Sequence, residues 1–138
     1  MLVFDTLENQ LTQNLDTGKR LIVKLDVEGA EWDSLLATPD FVFDQIDQMP
    51  MELHGVDERR YLELIRRLKQ NFHLVDLHFN NQSCSSGARP LPATAYQVLW
   101  VNKQLGVVDA SAPQPAPRSA LNTPDDPELP DCQLLSPG

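Results

Sequence analysis

The segment Leu21–Leu36, LIVKLDVEGAEWDSLL, restricts the folds open to this chain more than any other segment. It begins with an apolar run of strand length that ends at Asp26. Two further carboxylates and a glycine follow within five positions, at Glu28, Gly29 and Glu31. Glycine allows a sharp backbone turn, and a carboxylate in the first turn of a helix interacts favourably with the helix dipole. The pattern therefore predicts a buried strand, a tight turn and a helix in direct succession.

The rest of the first hundred residues continues this alternation. An opening helix is predicted for FDTLENQLTQNL, because Leu7, Leu11 and Leu15 lie on one helical face, with a stop near Gly18. After the AEWDSLLAT helix we expect a turn at FDQIDQ, a strand near Gln48–Leu53, a helix at DERRYLELIRRLKQ, and strands at FHLVDLHFN and AYQVLWVNK. The order α-β-α-β-α-β-β predicts an α/β fold, with helices on the faces of a mostly parallel sheet. The last two strands have no helix between them and are expected to pair antiparallel at one edge.

The composition changes near Gln104, which divides the chain into a domain of residues 1–103 and a tail of residues 104–138. Seven prolines lie in that tail among Ser, Ala and Asp, so we expect it to be disordered. Cys84 and Cys132 are far apart and fit neither a metal-ligand pattern nor a disulfide framework, so ordinary thiols are expected.

The charge and hydropathy of the chain exclude several classes of partner. A net charge of −9 and a pI near 4.6 argue against binding nucleic acid or an anionic membrane surface. No apolar run approaches the roughly 20 residues that cross a bilayer, so no membrane span is expected. The N-terminal MLVFDTLENQL does not have the pattern of a signal peptide. The compartment stays unknown, with the cytoplasm as default.

Polar side chains end three of the predicted strands, and ligands bind at the carboxyl ends of strands in open α/β sheets. These residues are Asp26 and Glu28 after the first strand, Glu52 and His54 at the second, and Asn80 and Asn81 after the third. Their convergence on one edge predicts a functional site. Each also has a structural explanation: Asp26 and Glu31 as helix caps, His54 as a strand-end turn, and the two asparagines as loop residues. We treat His73, His78, Trp32 and Trp100 as structural.

The segment LIVKLDVEGAEWDSLL resembles the Asp-Val-Glu-Gly segment of FkbM-type S-adenosylmethionine-dependent methyltransferases. MPMELHG, LHFNNQSC and YQVLWVNK fit later strands of that family in order, so the resemblance spans roughly Leu21–Lys103. It implies a partial Rossmann-like methyltransferase sheet, of which these four strands form the C-terminal half. In that fold the donor lies mainly on a glycine-rich loop after the first strand, and nothing before Asp26 offers a strand followed by G-x-G. A half-domain leaves a sheet edge uncovered, which predicts self-association.

The resemblance implies part of an S-adenosylmethionine-dependent O-methyltransferase for a small-molecule or glycan acceptor. Asp26 would then lie beside donor and acceptor, where its carboxylate would accept the acceptor's proton, hydrogen-bond the acceptor, or bind a divalent cation of unknown identity. Glu28 would orient substrate or metal. His54 is a candidate general base because imidazole titrates near neutrality. Acceptor contacts would come from Glu52, Asn80 and Asn81. The alternative is a non-catalytic, methyltransferase-like module that binds a partner or a full-length relative, and this chain alone is expected to be inactive.

Overall fold

The computed structural model describes residues 5–55, 59–84, 92–106, 111 and 123–132. Within them the chain forms a four-stranded mixed sheet with helices, so the predicted α/β class is confirmed. The helices are α1 (Leu7–Gln13), α2 (Glu31–Leu36), α3 (Asp40–Gln45) and α4 (Arg59–Asn71), and the strands are β1 (Leu21–Ile22), β2 (Ile46–His54), β3 (Phe72–Phe79) and β4 (Ala95–Asn102). A short 3-10 turn, Asn81–Ser83, follows β3.

The strands lie in the order β1-β2-β4-β3. β1 runs parallel to β2, and β4 runs antiparallel to both of its neighbours. The last two strands therefore pair antiparallel as predicted, but the reversed strand is not at the edge: β4 lies inside the sheet. Its alternate residues Tyr96, Val98 and Trp100 are buried, and an interior position covers them better than an edge would. The expectation of self-association through an uncovered edge stays a prediction.

The two faces of the sheet differ in character. Along β2, Met49, Met51 and Leu53 are buried in the core, whereas Pro50 and Glu52 point to the opposite face and are only half-buried. All four helices contribute to the core: Leu7, Leu11, Trp32, Leu35, Val42, Phe43, Leu64 and Leu68. Helices were expected on the faces of the sheet, but within the described residues they cover only one face, and the face carrying Glu52 is left more open.

Two local predictions need correction. FDQIDQ was expected to be a turn, but its first three residues end α3 and its last three begin β2. The helix forms because Val42 and Phe43 bury its apolar side. Leu15 was expected on the buried face of the first helix, yet it is 81% exposed and has a φ of +59°. The reason is that α1 ends at Gln13, ahead of the predicted stop.

Regular ladder pairing of β1 ends at Ile22, but the chain after it stays extended beside β2. After Ile22, the amide of Val23 donates to Gln48 O at 3.0 Å and that of Leu25 donates to Pro50 O at 3.1 Å. Leu25 also forms an isolated parallel bridge with Met51. Asp26 therefore follows directly on a backbone that β2 holds in place. Among the described residues no helix is long and apolar enough to cross a bilayer.

Part of the predicted tail lies against the sheet. Residues 123–132, which we call the strap, carry Cys132, and Cys132 forms a disulfide with Cys84 across a Cα–Cα distance of 5.3 Å. The expectation of free thiols is therefore wrong. Hydrogen bonds from Asn81 and burial of Cys132 hold the strap in place, and the disorder expected for the tail as a whole stays a prediction. The predicted disorder of residues 107–110, 112–122 and 133–138 falls outside the described residues.

A single arginine joins α4 to the end of α2. The Arg67 guanidinium donates to the carbonyls of Leu35 and Leu36, both at 3.3 Å, and to that of Thr38. Its other contacts are the Asp40 carboxylate, at 2.7 Å, and the Phe43 ring, whose centroid is 4.9 Å away. Carbonyls at the C-terminus of a helix have few partners within the helix, and Arg67 supplies them with donors, in addition to the Thr38 amide that already donates to Leu35 O at 3.1 Å.

We expect Arg67→Ala to lower the free energy of unfolding by about 2 kcal/mol, because several carbonyls of a helix end lose a charged donor. Arg67→Lys should recover less than half of that loss, since an ammonium lacks the planar fork that reaches several acceptors. Urea denaturation measures both variants. Arg66→Ala, at the exposed neighbouring position, is the matched control and should stay within about 0.5 kcal/mol of the parent protein. An equal loss in both alanine variants would contradict this account.

Reduction of the Cys84–Cys132 disulfide should lower the free energy of unfolding by about 3 kcal/mol, because the bond closes a loop with a sequence separation of 48 residues. It should also speed hydrogen exchange at two amides of the strap: that of Asp126, which donates to Asn81 Oδ1, and that of Leu129, which donates to Asp126 O. The double variant Cys84→Ser with Cys132→Ser is the control, and reductant should leave its stability unchanged. Identical denaturation curves with and without reductant in the parent protein would refute the prediction.

Candidate functional site

The carboxyl ends of three strands meet at one edge of the sheet. β1 is parallel to β2, and β2 and β3 both run antiparallel to β4, so all three end on the same side. Asp26, Glu52 and His54, which we call the rim cluster, each offer one ligand-type atom, and these atoms lie within 4.8 Å of one another. Asn80 joins them, because its Nδ2 donates to Glu52 Oε1 at 2.9 Å. The rim cluster could hold a metal ion.

The turn after Asp26 has an unusual backbone. Glu28 has a φ of +52° and Gly29 a φ of +96°. Left-handed geometry costs a non-glycine residue roughly 1–2 kcal/mol, so the surrounding structure must hold Glu28 in place. This turn brings the Glu28 carboxylate close to His54, with 3.6 Å between Glu28 Oε2 and His54 Nε2. The Glu28 side chain is 86% exposed. Glu28 therefore lies beside the rim cluster and in contact with solvent.

Glu31 is the buried partner of His54. Its side chain is fully buried; Oε2 accepts the Gly29 amide at 2.7 Å and Oε1 accepts the His54 amide at 2.8 Å. Oε1 also lies 3.0 Å from His54 Nδ1. A carboxylate in this position favours the tautomer with the proton on Nδ1, which leaves the lone pair on Nε2.

Sequence reasoning identified Glu31 only as a group near a helix N-terminus and missed its contact with His54. One signal was present in the sequence. Glu31 lies four residues before Leu35, so it occupies the buried face of α2, where a carboxylate requires partners. Those partners come from the end of β2, which no local pattern reveals.

The end of β2 is fixed from a second direction. Trp32 Nε1 donates to the carbonyl of His54 at 2.7 Å. The Trp32 ring is buried and stacks on Tyr61, with 3.9 Å between ring centroids and 16° between the planes. The packing role predicted for Trp32 is confirmed. Because the side chain of Trp32 and that of Glu31 bind the backbone of one residue, His54 has little freedom to move.

The two asparagines after β3 have different surroundings. Asn80 caps the 3-10 turn by accepting the Gln82 amide at 2.9 Å, while its amide nitrogen reaches Glu52. Asn81 is buried, and its Nδ2 donates to the carbonyls of Asp126 and Leu129 at 2.8 and 3.0 Å. Its Oδ1 accepts the Asp126 amide at 3.0 Å. Five of the six predicted residues therefore lie at the rim. The sixth, Asn81, binds the strap instead.

A cavity of about 370 Å³ opens on the face of the sheet that the helices leave exposed. It is lined by Lys24, Asp26, Pro50, Met51, Glu52, Asp76, Gln97, Val98 and Leu99. It adjoins the rim cluster because Asp26 and Glu52 belong to both. A volume of this size suits a small ligand, and the lining combines carboxylates, an amide and an ammonium with an apolar floor.

The charge of Glu31 also acts on the core. Tyr96 lies opposite Leu53 in the β2–β4 ladder and is largely buried. Burial, the nearby Glu31 carboxylate and the Tyr61 phenol raise the pKa of Tyr96 to about 12 from the ordinary value of 10.0. The first of these causes is the largest, since a phenolate would lose its water on burial.

We expect stability to fall as the pH rises from about 10 to about 12. Below pH 10 the Tyr96 phenol is neutral in both states; above it the unfolded chain releases the proton first, so ionisation favours unfolding until the folded pKa of about 12 is reached. Chemical denaturation at a series of pH values measures this, and phenolate absorbance follows the titration. Tyr96→Phe removes the group, so its stability should fall less over the same interval. An equal fall in both proteins would contradict the assignment.

Comparison of the chain with protein-family models, with curated proteins and with solved structures found no match. The geometry of the rim and its chemistry are therefore the basis for a function.

Proposed function

We propose that this chain forms the acceptor side of an S-adenosylmethionine-dependent O-methyltransferase for a hydroxyl group on a small molecule or glycan. The observation that carries the proposal is the rim cluster, in which buried Glu31 orients His54 beside Asp26 and Glu52. A parallel β1–β2 pair followed by a carboxylate-rich turn supports a Rossmann-like methyltransferase fold. In this proposal the four strands are the C-terminal half of that fold.

The methyl donor supplies an electrophilic methyl group on a positively charged sulfonium. The residues present fit that reacting end, because Asp26 and Glu52 bring carboxylates to one cavity and attract positive charge. Among the described residues, no glycine-rich turn after a strand is available for the adenosine end. Asp26 would lie beside the sulfonium and help to hold the donor.

The acceptor would lie in the cavity with its hydroxyl toward His54. Asp26 and the exposed Gln97 offer polar contacts that orient it. His54 Nε2 then takes the hydroxyl proton as the oxygen–methyl bond forms, and Glu31 at 3.0 Å from Nδ1 stabilises the imidazolium. Glu28, 3.6 Å from Nε2, adds a second negative charge on the other side of the ring.

The missing glycine-rich loop argued for an inactive chain, but if the rim cluster holds the donor as proposed, the chain should bind S-adenosylmethionine saturably in calorimetry and transfer a labelled methyl group to members of a panel of polyols and glycans. His54→Ala should lower turnover by about 100-fold or more, the usual contribution of a general base, without weakening donor binding. His73→Ala is the matched control, because His73 lies at the start of β3, opposite Val101, away from the rim. It should stay within about twofold of the parent rate.

Circular dichroism on the same samples shows whether each protein is folded. A folded parent chain that neither binds the donor nor transfers methyl would overturn the proposal. That result would favour the alternative function, a non-catalytic module that binds a partner or a full-length relative.

A further inference from the structure

We infer that the rim cluster is a binding site for a divalent first-row metal cation such as Mn²⁺. Asp26, Glu52 and His54 each supply one ligand atom within 4.8 Å of the others. Two backbone hydrogen bonds hold the strands that carry them: Leu25 N to Pro50 O at 3.1 Å and Glu52 N to Leu25 O at 3.0 Å. The ligands are therefore placed by paired strands.

The donor set suits this class of ion. One imidazole with two carboxylates is typical of Mn²⁺ and its first-row neighbours, whereas Ca²⁺ and Mg²⁺ prefer oxygen ligands alone. Ligands at about 2.1 Å from a metal stand at most about 4.2 Å apart. Neighbouring (cis) ligands on one octahedral ion lie only about 3.0 Å apart, so the side chains need to close by up to about 2 Å, and the exposed Asp26 has room to do so.

Neighbouring groups outside the rim cluster orient two of its ligands. Glu31, with its side chain fully buried, lies 3.0 Å from His54 Nδ1, which is the carboxylate–histidine arrangement found behind metal-binding imidazoles. Asn80 Nδ2 donates to Glu52 Oε1 at 2.9 Å and leaves the other carboxylate oxygen for a metal. Both contacts fix ligand orientation before any ion arrives.

The local charge also favours a cation. Four carboxylates, those of Asp26, Glu28, Glu31 and Glu52, surround the single imidazole of His54. Elsewhere, carboxylates pair with basic side chains, as Asp40 does with Arg67. In the part of the chain that the structure describes, no lysine or arginine forms an ion pair with any of the four. Lys24 lines the adjoining cavity but leaves this negative charge largely unbalanced.

The chemical role of the cation rests on the proposed function, although its binding does not. A cation in the rim cluster would lower the pKa of an acceptor hydroxyl in the cavity. In the metal-bound site His54 is a ligand, so the hydroxyl proton passes to water at the rim, where Asp26 is exposed, and His54 acts as the base only in the metal-free site. The hydroxyl oxygen gains the methyl group, and the carbon–sulfur bond breaks with its electron pair on sulfur, so that the sulfonium becomes a neutral thioether.

Calorimetric titration of the full chain with MnCl₂, with no donor or acceptor present, tests the site. We expect one Mn²⁺ per chain, and at least about tenfold weaker binding in Asp26→Asn, Glu52→Gln and His54→Gln. Asp76→Asn is the matched control, because it removes one negative charge from the same cavity but none from the rim cluster. Asp76→Asn should change the affinity for Mn²⁺ by less than about threefold. The electron paramagnetic resonance spectrum of Mn²⁺, which changes with its ligands, provides a second readout.

No saturable binding by the folded parent chain, or an equal loss in Asp76→Asn and in the three ligand variants, would overturn the inference. Methyl transfer that persists unchanged in chelator would overturn the catalytic role and support direct proton transfer to His54. Mn²⁺ binding by a chain that neither binds the donor nor transfers a methyl group would refute the proposed function and leave the cation site standing.

Discussion

The buried carboxylate of Glu31 is the contact on which the geometry of the site depends. Burying a charged group is costly unless hydrogen bonds replace its water. Here the Gly29 amide, the His54 amide and His54 Nδ1 take that place, and they come from the two segments whose ends form the rim. Because Glu31 would be costly to bury without these hydrogen bonds, they hold the turn after β1 against the end of β2.

This constraint explains why a non-glycine residue occupies left-handed geometry beside the site. Gly29 presents its amide to Glu31 only if the chain turns sharply after Asp26, and Glu28 takes a φ of +52° within that turn. The same turn carries the Glu28 carboxylate to His54. Strain in the backbone and placement of a titratable side chain are thus consequences of one hydrogen-bonding requirement.

The sequence predicted where strands end better than it predicted the order of the strands in the sheet. Strand-end positions follow from a local pattern, so Asp26, Glu52, His54 and Asn80 could be placed at one rim before any coordinates. The position of β4 between β2 and β3 could not, because strand order depends on which residues each strand buries against distant helices. Asn81 and the strap show the same limit: the disulfide partners lie 48 residues apart, and the proline-rich composition hides contacts made by a few specific groups. The residues at strand ends can be predicted from local sequence, whereas strand order and disulfide pairing depend on contacts between distant segments in the folded core.

Most residues that stabilise the core and most polar residues that line the cavity lie on opposite faces of the sheet. The helices bury Met49, Met51 and Leu53 on one face, and the cavity lies on the other, where Asp26 and Glu52 meet it. Glu31 and Trp32 connect the two, since both lie on a core helix yet bind the backbone of His54. Substitutions of polar cavity residues such as Gln97 should therefore alter ligand choice at little cost to folding, whereas Met51 and Val98 line the cavity and also belong to the core. Substitution of Glu31 affects both properties, because the group that orients the imidazole is also the one whose burial must be satisfied.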